Sequence, residues 1–309
     1  MSDPLPLNVL STWVTNPLLG PLVEFGFMRN ALLGCLALSL SAAPIGVFLM
    51  LRRMSLTGDA MAHAILPGAA IGYLVAGLSL TAMTLGGIMA GLVVAVGSGL
   101  VSRNTALRED TSLAAFYLLS LSLGVLIVSV RGNSVDLLHV LFGTVLALDA
   151  SALSLLWSIC ATTLLALGVL YRPLVLECMD PAFLRQVSRW SPVAHYGFLG
   201  LLIINLVAGF HALGTLMAVG IMVLPAATAH FWVNRLGPLL LLSTALAMAA
   251  CVSGLLLSYH FDLPTSPVIV LSLGAAYLFS MLLGPRGALR RQPLFHASQP
   301  TTPRKGTLP

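Results

Sequence analysis

Nine apolar runs, most of them close to the ~20 residues a helix needs to cross a bilayer, leave this chain few folds to choose from. They span about 25–51, 55–77, 81–101, 112–130, 150–171, 193–210, 214–233, 237–258 and 266–284. Barrel strands would instead alternate in polarity over ~10 residues, which these runs do not. Only 8% of the 309 residues are Asp, Glu, Lys or Arg, against about 25% in a soluble domain. A hydrophobic content of 58% and a mean hydropathy of +0.98 agree. The expected fold is all-α: a polytopic helical membrane protein with eight or nine transmembrane helices plus a short re-entrant or half-helix piece. Eight spans result if one short run, the sixth first among them, is bent or partial.

The connectors set the orientation. Arg52 and Arg53 follow the first run, Arg103 and Arg108 the third, and Arg235 the seventh. Arg172, Arg185 and Arg189 surround the connector after the fifth, and Arg286, Arg290, Arg291, Arg304 and Lys305 lie in the tail. Thirteen of the fifteen basic residues thus fall on alternate connectors, leaving Arg29 and Arg131 for the other side. The positive-inside rule makes the richer side cytoplasmic, with the N-terminus outside and the C-terminus inside. The net charge of +5 is then a matter of topology, and no nucleic-acid partner is expected. Met1 to Asn8 lack a basic segment and no small-residue cleavage site follows, so no removable signal peptide is expected. Cys35, Cys160, Cys178 and Cys251 show no CxxC spacing and read as structural thiols.

Residues 1–24 read as an extracytoplasmic segment, 25–285 as the transmembrane body, and 286–309 as a disordered cytoplasmic tail rich in Pro, Thr, Ser and Gln. The longest cytoplasmic connector, about 173–192, holds a short amphipathic helix from Asp180 to Arg189. Asp180 is its N-cap and Pro181 its first helical residue. A soluble partner docking there and a plain interfacial helix are both open readings. Asn133 to Asp149 is apolar but short, and reads as a short helix or re-entrant piece needing protein cover. Pro44, Pro67 and Pro225 fall within spans, which membrane helices tolerate when neighbours satisfy the freed carbonyls. No internal repeat is evident.

Of the ten acids, nine lie in connectors, tails or span ends, and Asp59 alone sits within a run. An acid near the bilayer centre costs roughly 2.5–3.5 kcal/mol on insertion scales and marks a functional site by default. Asp59 is also only six residues past Arg53, so a helix-start acid neutralised by that arginine is open as well. His63 follows one turn on, on the same helical face. Carboxylate oxygen and imidazole nitrogen are both ligands for divalent transition metals. Two ligands are few for a metal that takes four or more, but two copies meeting at this helix would supply four. Ala60, Ala62, Ala64, Gly68, Ala69, Ala70 and Gly72 would permit such an approach.

His211 and His230 bracket the seventh run, His139 follows Asp136 outside, and His260 lies near Asp262. They read first as interfacial residues, the outer ones also as helpers in handing over a cation. There is no GxxxxGK[ST] and the only lysine is Lys305, so ATP hydrolysis must come from another chain. HExxH is missing too, and Ser253 with His260 is only a faint serine dyad. A membrane enzyme is the poorer reading.

RRMSLTGDAMAHAILPG (Arg52 to Gly68) resembles the R-R-x-S-x-x-G-D-x-x-x-H-A pattern of the permease subunits of metal-uptake ABC transporters, the ABC-3 type. VDLLHVLFGTVL (Val135 to Leu146) and ALGTLMAVGIMVLPAATAHF (Ala212 to Phe231) are similar to two further motifs of that family, in the same order. The resemblance implies a homodimeric permease in a bacterial inner membrane, working with cytoplasmic ATPase subunits and an extracytoplasmic metal-binding protein. It implies that Asp59 and His63 form the metal site in the pore. It also implies a coupling helix on the ATPase around Asp180, Pro181, Arg185 and Ser188, where the family commonly has glycine at 188. His230 stands where the family's motif carries arginine.

The cargo expected is zinc or manganese, with iron in the same donor class. No resident cofactor is expected, and ATP belongs to the partner subunit. Asp136, His139 and His211 are the expected entry or gate residues. The competing reading is a proton-coupled secondary transporter using Asp59 and His63 as a relay.

Overall fold

A computed structural model describes residues 25–77, 79–105, 109–131, 148–179 and 191–286. Among them are nine helices and no strand: α1 Gly26–Leu51, α2 Ser55–Ala76, α3 Leu80–Asn104, α4 Glu109–Arg131, α5 Ala150–Met179, α6 Ser191–Leu213, α7 Thr215–His230, α8 Leu236–Phe261 and α9 Thr265–Leu283. Each apolar run is a helix, because a backbone in lipid must satisfy its own hydrogen bonds. Eight are long and apolar enough to cross a membrane.

Two expectations need correction. The short helix is the seventh, not the sixth. With 16 residues, α7 is ~24 Å long at 1.5 Å per residue, less than the ~30 Å hydrocarbon core. Its N-cap Gly214, at φ 90°, is the only residue between α6 and α7, so these two form a tight hairpin. The second correction concerns the connector after α5. That helix runs through Arg172 and Pro173 to Met179, 30 residues in all, and the connector shrinks to 180–190. The apolar run reads as ending near Arg172 only because a charge and a proline stand together there; Leu174-Val175-Leu176 resumes it.

The centre of the bundle is α1 and α6, each 72% buried over its span, whereas α4 is 17% buried. Helix α1 packs against α2, α5, α6, α7 and α8, and α6 against α1, α2, α3, α5 and α7. Large apolar side chains such as Leu85, Val93, Leu119, Leu165, Val169 and Leu241 point outward, as lipid allows.

Close helix contacts are made at glycine. A Cβ on Gly68 would land on the Gly86 carbonyl, one on Gly72 on the Ala82 carbonyl, and one on Gly46 on the Met222 carbonyl. The small-residue stripe of α2 is therefore used inside the chain, against α3. Ala60, Ala62, Ala64, Gly68, Ala69 and Gly72 are all buried within the single chain, so the close approach they permit is taken up by the chain's own helices. Polar ties are few. Asn205 Nδ2 donates to Thr163 Oγ1 at 2.7 Å, joining α6 to α5, and Ser120 Oγ donates to the Ala64 carbonyl at 2.9 Å, joining α4 to α2.

The turn between α1 and α2 fixes how α2 starts. The Arg53 N–H donates to the Met50 carbonyl and the Met54 N–H to the Leu49 carbonyl, the two bonds of a Schellman cap. The cap needs a left-handed residue, and Arg53 fills that place at φ 59°. A non-glycine residue there costs roughly 1–2 kcal/mol. Arg53→Gly should therefore raise the unfolding midpoint in detergent, by about 1 kcal/mol of stability; a lower midpoint would mean the arginine side chain contributes more than the strain costs. At the other side of the bundle Asp149 caps α5. Its carboxylate accepts from the Ser151 hydroxyl at 2.6 Å and the Ala152 N–H at 2.9 Å. Those two bonds, the hydroxyl first, hold its carboxyl below the usual carboxylate range.

Candidate metal site

Helix α2 is almost sealed by its own chain. From Thr57 to Ala69 every residue is buried except Asp59, His63 and Leu66. These three, with Leu56 before and Ala70 and Tyr73 after, recur at alternating steps of three and four, which places them on one stripe. The acid and the imidazole are thus carried on the face of α2 that the chain's other described helices leave open. Asp59 is 64% exposed and His63 37%.

His63 Nε2 stands 3.8 Å from Asp59 Oδ1. That is too long for a hydrogen bond, but two donors each about 2.1 Å from one metal can be up to about 4.2 Å apart. His63 Nδ1 is buried and makes no hydrogen bond among the described residues. Nε2, on the Asp59 side, is the nitrogen placed for ligation. Pro67 adds a further feature: lacking an N–H, it cannot donate to the His63 carbonyl four residues back. No group of three or more His, Cys, Asp or Glu side chains able to hold a metal occurs among the described residues. Within one chain the stripe brings two such donors together, Asp59 and His63.

Among the described residues no arginine pairs with Asp59. Of the two that precede it, Arg53 is exposed in the turn. Arg52 is committed elsewhere: its Nη2 donates to Glu177 Oε1 at 2.8 Å and lies 2.8 Å from His195 Nδ1. The three side chains are 6–9% exposed, and the guanidinium sits 5.1 Å from the centroid of the Phe198 ring. His195 Nδ1 also lies 3.5 Å from Glu177 Oε1, so the acid and the imidazole meet at the one guanidinium. Sequence reasoning missed this cluster. Arg52 reads as an inside marker, Glu177 as a connector residue and His195 as nothing in particular. The one available signal was Glu177 itself, an acid following Leu174-Val175-Leu176.

Asp136, His139, Asp180, Pro181, Arg185 and Ser188 lie outside the described residues, and His211 is described only as part of the α6 backbone. His230 is exposed at the end of α7, and its carbonyl accepts from Arg286 Nη1 at 3.2 Å. A guanidinium thus meets the negative end of α7, supplied by the segment after α9. His260 and Ser253 each bond a carbonyl of their own helix, so neither addresses the other. Cys35, Cys160, Cys178 and Cys251 are free thiols, and Cys251 Sγ lies 3.3 Å from Ser39 Oγ in the core.

Residues 24–284 match the ABC 3 transport family. The manganese import system permease protein ScaB of Streptococcus parasanguinis is 32% identical over 265 residues, 86% of this chain and 93% of that protein. The chelated iron transport system membrane protein YfeD of Yersinia pestis is 27% identical over 306 residues, 98% of this chain and all of that protein. Among solved structures, PsaBC from Streptococcus pneumoniae in complex with Fab contains a chain that superposes with a TM-score of 0.76 at 29% identity, covering 90% of this chain and 97% of that one.

Proposed function

The chain belongs to the ABC 3 transport family, and on that footing we propose that it is the permease through which a divalent transition metal, manganese first, is imported across a bacterial inner membrane. It is a multi-pass membrane protein and a permease subunit, not a catalytic one. The observation that carries the metal reading is an acid and an imidazole 3.8 Å apart on the open stripe of α2. Two copies facing each other there would offer two carboxylates and two imidazoles on one axis. The acids offset the dication's loss of water, and the nitrogens favour a transition metal over calcium or magnesium. Relatives named for manganese and for iron set the order of preference; zinc suits the same donors. The proton-relay alternative finds no support in this family.

In this reading an extracytoplasmic binding protein delivers the ion near Asp136, His139 and His211. ATP is hydrolysed on separate cytoplasmic subunits that dock around Asp180, Pro181, Arg185 and Ser188. Cells lacking the chain should accumulate radiolabelled manganese far more slowly, and a plasmid copy should restore the rate. Unchanged manganese entry alongside impaired zinc or iron entry would reassign the cargo. Unchanged entry of all three would overturn the function.

A further inference from the structure

We propose that Arg52, Glu177 and His195 form a buried clamp through which displacement of the cytoplasmic ends of α5 and α6 reaches the donor pair on α2. The proposal rests on the permease reading above. Its basis is where the three residues stand. Glu177 is two residues from the end of α5, and His195 is four residues into α6. Arg52 is the C-cap of α1. One guanidinium therefore fastens both of these helix ends to the end of α1.

From Arg52 the path to the site is short and stiff. Arg53 and Met54 complete the Schellman turn, the Thr57 N–H donates to the Met54 carbonyl at 3.0 Å, and Met54, Thr57 and Gly58 are buried. Asp59 follows directly. A shift of the Arg52 end of α1 must carry the start of α2 with it, because no flexible linker intervenes.

The chemistry of the cluster fits a moving joint better than a fastening selected for strength. A buried ion pair is weak evidence of stability, since both charges lose their water. Among the described residues this one also leaves Arg52 Nη1 and Glu177 Oε2 buried without a hydrogen-bond partner. A spare donor and a spare acceptor let the pair exchange bonds as α5 and α6 move relative to α1, without baring either charge. Phe198 keeps the guanidinium seated from the α6 side.

The test measures initial rates of radiolabelled manganese(II) uptake per molecule of permease in cells carrying the complete transport system. Glu177→Met alone strands the Arg52 charge and should deplete the protein. Arg52→Met combined with Glu177→Met removes both charges, so abundance should return. The clamp predicts that this double variant still binds manganese(II) like wild type but transports it about 10-fold more slowly, the upper scale of mutations along a coupling route. An ion pair that merely holds the fold predicts that uptake recovers with abundance, which would overturn the proposal. A second pair covers a double variant that does not accumulate. His195→Asn keeps an acceptor toward Arg52 and should transport normally, whereas His195→Phe should be slow; equal rates for the two would overturn the clamp. Asp59→Ala is run alongside. No uptake of manganese, zinc or iron by the wild-type system would overturn both readings. Uptake that needs Asp59 yet survives in the double variant would overturn the clamp alone.

Discussion

Asp59→Ala and His63→Ala are each expected to abolish metal uptake while leaving the protein in the membrane at normal abundance. If two copies share the site, one substitution removes two of four donors. Loss of even an outer partner of a metal ligand costs about 10–100-fold in affinity or activity, so loss of paired ligands should exceed about 100-fold. Abundance should hold because Asp59 is mostly exposed and His63 partly so, and substitutions at such positions usually stay within about 0.5 kcal/mol. The two variants need not fail alike. Asp59→Asn keeps the shape and removes the anion, testing charge, whereas His63→Ala removes the nitrogen that favours transition metals. The measurement is the initial rate of radiolabelled manganese accumulation, normalised to permease in the membrane. Full uptake in both variants would remove the assigned site.

Gly46→Leu and Gly68→Leu are expected to do the opposite, depleting the protein before transport can be scored. A Cβ at either position meets a backbone carbonyl of a neighbouring helix, Met222 for Gly46 and Gly86 for Gly68. A side chain can rotate away from an intruder; a carbonyl fixed in a helix cannot. Overpacking a filled core costs about 1–3 kcal/mol and sometimes more, and here α1 would have to leave α7, or α2 leave α3. Gly168, with nothing near its Cβ position, is the control, and Gly168→Leu should accumulate normally. Immunoblots of membranes and unfolding midpoints in detergent would read both effects. Normal accumulation of Gly46→Leu would mean that α1 and α7 pack less tightly than described.

Much of this protein was legible in the sequence because the governing physics is local. A run of about 20 apolar residues forms a helix in lipid whatever surrounds it, and Arg and Lys on alternate connectors orient it. An acid and an imidazole four residues apart share a helical face by geometry alone, so spacing is enough to pair Asp59 with His63. Where Arg172 and Pro173 interrupt the apolar pattern, local reading ended α5 too soon.

Only the tertiary structure decided which face of α2 stays open. Glycines that would serve a second copy equally well are used against Gly86 and Ala82 of α3, and Asp59 and His63 are left on the stripe that remains. It also decided that Arg52 serves a buried acid and an imidazole 125 and 143 residues away rather than Asp59 nearby. The reason is the same in both cases. Burial and ion pairing depend on which helices become neighbours, and no periodicity within a single run carries that information.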